Sequence, residues 1–189
     1  VVLQLGPAAF VTTRNGMDWE AISIPSSNGD SLSTLLPLRY QSGWFVAGFR
    51  QGTQGILLFS RDGIAWRRSL PSNQISKTDW ITIDESGCVL ISDTSYGGKG
   101  LVRSTDFGNQ WTQVSPFETV GTTRVIYQDG VYFATAGKQT WSSSDGVQWT
   151  PGPEFSALSR VVFCGDRFFA KPQNGGSFSH VSADGINWQ

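Results

Sequence analysis

The side chains best placed for chemistry stand in repeats. Four aspartates, Asp62, Asp106, Asp145 and Asp184, and one asparagine, Asn15, hold the same place in a short phrase that occurs five times. Carboxylates could serve acid/base catalysis, whereas an Asp or Asn beside a glycine equally builds a turn. Two arginines, Arg124 and Arg160, share a register ahead of similar apolar runs. Two guanidinium groups at one opening could hold a carboxylate or phosphate; the alternative is a repeated, solvent-exposed strand start. Of the tyrosines Tyr40, Tyr96, Tyr127 and Tyr132, three fall within or beside strand patterns, where packing is expected. His180 has no ligand partners nearby in sequence, and Cys88 and Cys164 lack the company that a disulfide framework or a zinc site needs. Both cysteines read as free packing residues. No glycine-rich phosphate loop opens a helix and no His/Asp constellation resembles a metal site, so neither cofactor nor metal is expected.

The repeated phrase reads Ser-x-Asp-Gly-x-x-Trp. Its copies run Thr13, Asn15, Gly16 to Trp19; Ser60, Asp62, Gly63 to Trp66; Ser143, Asp145, Gly146 to Trp149; and Ser182, Asp184, Gly185 to Trp188. The third in chain order has one extra residue, running Ser104, Asp106, Phe107, Gly108 to Trp111. The tryptophans are spaced by 47, 45, 38 and 39 residues. The Asp or Asn oxygen can accept backbone N–H groups two residues on, the glycine takes the positive φ of a tight hairpin, and the Ser or Thr hydroxyl adds a bond inside the loop. The Trp can fold its apolar face over the turn or into a neighbouring unit. Each copy is then a hairpin staple.

The elements that must carry these turns are also legible. Alternating apolar runs flank glycine turns at Ser42-Gly43, Ser86-Gly87, Asp129-Gly130 and Gly165-Asp166, which reads as a second hairpin upstream of each of the last four staples. Two hairpins make four antiparallel strands, and that unit at a period of about 40–50 residues is the blade of a β-propeller. The expected class is all-β, as one propeller domain over 1–189. Blades are placed at approximately 36–71, 79–116, 121–152 and 157–189, after a partial blade at 1–23 that lacks its inner strand. Either five blades close on themselves, or the array and any targeting signal extend beyond a chain that begins at Val1.

Composition agrees with short strands and tight turns: 22 glycines, eight tryptophans and twelve phenylalanines, against only 15% charged residues. The net charge of −1 offers no footprint for nucleic acid, and no apolar run is long enough to predict membrane insertion.

The phrases resemble the Asp-box, or BNR, repeat of sialidases, propeller-type photosystem assembly factors, sortilin-like receptors and many bacterial and phage proteins. The upstream runs beginning at Arg124 and Arg160 are similar to tandem repeats of phage virion and tail-associated proteins. The resemblance covers nearly the whole chain and implies that the box is structural and faces away from an active site. It also implies, for a sialidase, three arginines, a Tyr nucleophile assisted by Glu, and an Asp acid/base. The chain lacks the Arg-Ile-Pro phrase and any convincing nucleophile set, so no catalytic residue is assigned.

Strand counting puts the loops between second and third strands on the face opposite the boxes. That face is the expected binding surface, with Arg50 and Gln54, Tyr96 and Lys99, and Lys138 as contributors, and Arg124 and Arg160 toward the propeller mouth. Its mixture of amides, charges and aromatic rings suits a glycan or a protein, and it also suits an ordinary loop surface. Trp141 reads as strand packing or as a sugar platform. The expected function is a non-enzymatic module of a virion, phage tail or bacterial cell surface, acting in assembly or in attachment to a protein partner or cell-surface glycan. The rivals are a glycoside-acting enzyme or its remnant, and an intracellular assembly factor that docks on a protein.

Overall fold

A computed structural model describes residues 2–6, 9–22, 32–75, 78–93, 100–114, 117, 122–136, 138–155, 158–164, 166–172, 177 and 180–189. Among them the regular structure is β apart from a single short 3-10 turn, Asn73–Ile75. Among the described residues no helix is long and apolar enough to cross a membrane.

Five sheets follow one another along the chain, and within each the strands neighbour in sequence order. The first sheet has β1 (Val2–Gly6), β2 (Ala9–Thr12) and β3 (Glu20–Ile22). The second has β4 (Leu32–Gln41), β5 (Trp44–Gln51), β6 (Gln54–Ser60) and β7 (Arg67–Arg68). The third has β8 (Thr78–Ile83), β9 (Val89–Asp93), β10 (Gly100–Ser104) and β11 (Thr112–Gln113). The fourth has β12 (Thr122–Gln128), β13 (Val131–Ala136), β14 (Gln139–Ser143) and β15 (Thr150–Glu154). The fifth has β16 (Leu158–Cys164), β17 (Arg167–Pro172) and β18 (His180–Ser182), and Gln189 extends it by exchanging backbone bonds of 2.9 and 3.0 Å with Val181.

Each sheet carries one copy of the repeated turn. β4 starts at Leu32 and β15 runs to Glu154. Strand pairing continues past the last apolar residue because backbone ladder bonds do not depend on side-chain type.

The residues form two compact units: Val1–Thr78 with Ile83–Val89 and Ser104–Thr112, and Asp79–Thr82 with Leu90–Arg103 and Gln113–Gln189. In the first, Val2, Phe10, Ala47, Phe49, Leu58 and Trp66 make a buried cluster. In the second, Phe133, Val161, Phe168 and Ala170 do the same, with Phe163 and Trp188 packed against them. β6 is buried along almost its whole length, which explains its unbroken run Ile56-Leu57-Leu58-Phe59: a strand covered on both faces has no polar side to alternate with. β7 and β11 are two residues each and polar, which is how a sheet edge is kept from pairing with another chain.

Turn chemistry sets the register. At Asp129-Gly130 both residues have positive φ, 49° and 83°, as the tightest hairpins require, and Gln128 pairs directly with Val131. Of the two cysteines, Cys88 is buried as expected of a packing residue. Cys164 is exposed, at the end of β16 where it pairs with Arg167 beside the hairpin turn.

Candidate functional site

The five repeated turns are built alike. In the second, Asp62 Oδ1 accepts from the Ser60 hydroxyl at 3.0 Å and from the N–H groups of Ile64 and Ala65 at 2.8 Å, while the Gly63 N–H donates to Ser60 Oγ. The fourth and fifth turns repeat this with Asp145 and Asp184. The third does so across its extra residue, where Gly108 N–H reaches Ser104 Oγ and Asp106 accepts from Asn109 and Gln110. The first uses the amide oxygen of Asn15, with Thr13 as the hydroxyl.

These bonds hold the carboxyls ionised. The N–H groups of Ile64 and Ala65 lower Asp62, and those of Gln148 and Val147 lower Asp145. For Asp184 desolvation is the largest single influence and pushes upward. The N–H groups of Asn187 and Ile186, with the side chains of Asn187 and Ser182, outweigh it and bring the carboxyl down to about 2. Carboxylates held this firmly as acceptors make poor proton donors near neutral pH.

The tryptophans serve both roles that their size allows. Trp66, Trp111 and Trp188 each donate the indole N–H to the carbonyl of their own turn glycine, at 3.2, 3.0 and 3.0 Å. Trp66 also lies 5.3 Å from Phe10 of the first sheet, and Trp188 lies 5.9 Å from Phe133 of the fourth. The extra residue of the third turn is a plug: Phe107, at φ 61°, sets its ring 5.0 Å from Trp44 and 5.6 Å from Phe59, with the Arg67 guanidinium over it at 4.6 Å.

The structure places the residues expected at the binding surface as follows. Arg50 lies on β5 opposite Gly55, half-buried with its Nε enclosed, and Gln54 opens β6 opposite Gln51. Lys138 is exposed at the turn before β14, and its carbonyl accepts from the Phe155 N–H at 2.8 Å. Tyr96 and Lys99 lie outside the described residues. Arg160 sits on β16 opposite Lys171.

Arg124 is engaged inside the protein. Its guanidinium lies 3.9 Å from the centre of the Trp80 ring on β8 and donates to the Val161 carbonyl on β16. One side chain on β12 therefore ties the first strands of three successive sheets. Beside it the Tyr127 N–H donates to Thr82 Oγ1 at 2.8 Å. Trp141 packs edge-on to Phe117, with centroids 5.7 Å apart, and half-buried His180 meets Phe155 at 5.1 Å.

The cavity beside the first turn was not anticipated. An open cleft of about 420 Å³ is lined there by Thr12, Thr13, Arg14, Asn15, Asp18 and Glu20, with Ile64 of the second turn as its apolar wall. The sequence signal for it is an exchange of types. In the fifth turn Asp184 accepts from the Asn187 amide at 2.7 Å, and in the first the partners are swapped, with Asn15 donating to Asp18 at 2.7 Å. The swap moves the turn's negative charge from its centre to its rim.

No protein-family model and no curated protein matches the chain. Among solved structures it is similar to YCF48 bound to D1 peptide, at 15% identity and a TM-score of 0.62, over 97% of this chain and 60% of that one. YCF48 from Cyanidioschyzon merolae gives 15% and 0.62, over 96% and 63%. The GH74 enzyme of Niastella koreensis gives 15% and 0.57, over 96% and 33%. The chain thus spans about three fifths of the first two proteins and a third of the last, and what it shares with all three is the β-propeller fold.

Proposed function

We propose that this chain is a non-enzymatic interaction module, a propeller that docks a protein partner within an assembly. The observation that carries the reading is the likeness, over nearly the whole chain, to a propeller solved with a peptide bound. The turn geometry supports it. The turn aspartates are occupied in closing their own loops, as Asp-box residues with a structural role would be. The setting that the repeat phrases favour is a virion, phage tail or bacterial cell surface, with Arg50 and Gln54 in one unit and Lys138 in the other as candidate contacts for the partner.

Glycan attachment, or action on a glycoside, is the second reading, and the likeness to the GH74 enzyme favours it. The deciding experiment screens the purified chain in parallel against a peptide array, a glycan array and fluorogenic glycosides. Peptide binding that weakens in Lys138→Glu, without glycan binding or turnover, is the expected result. Turnover overturns the non-enzymatic reading, and glycan binding alone replaces protein docking with glycan attachment.

A further inference from the structure

An asparagine followed by glycine is chemically labile, because glycine has no side chain to keep its backbone nitrogen from the neighbouring carboxamide carbon. Asn15-Gly16 is such a pair, and among the described residues it is the only one; Asn28-Gly29 and Asn174-Gly175 lie outside them. The other four turns already have an aspartate at the centre, so loss of ammonia is open to the first turn alone.

The reaction needs only water and hydroxide. The Gly16 nitrogen gives its proton to hydroxide and bonds to Asn15 Cγ, and Nδ2 takes a proton from water and leaves as ammonia. Water then opens the cyclic imide at either of its carbonyl carbons, breaking one C–N bond. The product is aspartate, or an isoaspartate whose backbone runs through the former side chain. In sum an amide and a water become a carboxylate and an ammonium ion.

The folded turn holds each reacting group elsewhere. The Gly16 N–H donates to Thr13 Oγ1 at 2.9 Å, and Thr13 is buried. Asn15 Oδ1 accepts from the Thr13 hydroxyl at 3.1 Å and from the N–H groups of Met17 and Asp18 at 2.9 Å, while Nδ2 donates to Asp18 Oδ2 at 2.7 Å. The nitrogen must leave Thr13 to lose its proton, and the carboxamide must leave Met17 and Asp18 to turn its carbon toward it.

After the reaction the same geometry works against the turn. A carboxylate in place of the amide meets Asp18 Oδ2 at hydrogen-bond distance with no proton between them, and like charges that close repel. In the other turns the residue three places after the aspartate is neutral: Ala65, Asn109, Gln148 and Asn187. We propose that Asn15 is a deamidation site gated by its own turn, reacting when the turn opens and yielding a carboxylate that hinders the turn from closing again.

The test holds the whole chain and a peptide of residues 11–21 in mildly alkaline buffer, and peptide mapping by mass spectrometry follows aspartate and isoaspartate at position 15. The folded chain is expected to react at least about tenfold more slowly than the peptide, the scale of one or two net hydrogen bonds. Thr13→Val, which keeps the shape and removes the hydroxyl, should speed the reaction of the folded chain about tenfold, and Thr13→Ser, which keeps the hydroxyl, should not. Circular dichroism checks that both variants stay folded. Independently of Thr13, Asn15→Asp should lower the thermal midpoint by about 2–4 °C. Adding Asp18→Asn, which reproduces the Asp184 and Asn187 pairing of the fifth turn, should restore it. Equal rates in the folded chain and the peptide, a folded Thr13→Val chain that reacts no faster than the wild type, or an Asn15→Asp chain that melts with the wild type each overturn the proposal.

Discussion

Replacing the glycine of the fifth turn should cost much more than backbone conformation alone predicts. Gly185 sits at φ 73°, where any L side chain adds about 1–2 kcal/mol of strain. A Cβ there would also lie 2.6 Å from Phe133 Cδ2. Phe133 cannot yield, because it is 1% exposed and lies 5.0 Å from Phe168 and 5.9 Å from Trp188. Overpacking of this kind costs about 1–3 kcal/mol, so Gly185→Ala should lose about 2–5 kcal/mol in total. Two glycines of the same compact unit separate the contributions. Gly130, at φ 83°, has nothing within 4 Å of its would-be Cβ, so its Ala variant should show only the strain of about 1–2 kcal/mol. Gly146, at φ 70°, would meet the buried Leu90 Cδ1 at 3.2 Å and Tyr132 Cε2 at 3.4 Å, contacts looser than that at Gly185, and should fall between Gly130 and Gly185. Urea titrations followed by tryptophan fluorescence and circular dichroism, fitted with a common slope, give the three values. If Gly185→Ala and Gly130→Ala lose the same stability to within about 0.5 kcal/mol, the argument that the turn glycines are packing residues is wrong.

Three further outcomes follow from the same geometry. Asp184 is held at about 2, below its ordinary 3.8, so its contribution is complete above pH 4 and disappears as pH falls toward 2; Asp184→Asn should flatten that part of a stability-against-pH profile, and an unchanged profile would count against the bonded carboxylate. Arg124→Ala removes both the contact with Trp80 and the bond to Val161 and should destabilise by about 2 kcal/mol or more in denaturant melts, with no change in affinity for inorganic phosphate; a phosphate affinity that falls would instead support an anion site. Phe107 at φ 61° inverts the usual order of substitutions, so Phe107→Gly, which relieves the strain, should melt above Phe107→Ala, which keeps it; the reverse order would show that the conformation is not strained.

The sequence alone carried the repeat, and with it the class. A Ser, an Asp, a Gly and a Trp at fixed offsets specify a turn through bonds that span three or four residues, so Asp62, Asp145 and Asp184 could be assigned before any sheet was known. Strand number per unit followed from alternation, and the polarity of Arg67-Arg68 and Thr112-Gln113 marks the outer edges that the structure shows. What a side chain meets across sheets could not be read this way, because it depends on residues tens of positions apart. Arg124 and Arg160 look equivalent in sequence, yet only the packing of β8, β12 and β16 shows Arg124 held between a ring and a carbonyl. Phe107 reads as an insertion and is a plug, since Trp44 and Phe59 arrive from another sheet. The cleft of Asp18, Glu20 and Ile64 joins two turns that lie more than forty residues apart in the chain, and only tertiary structure sets an aliphatic wall from one beside the carboxylates of the other.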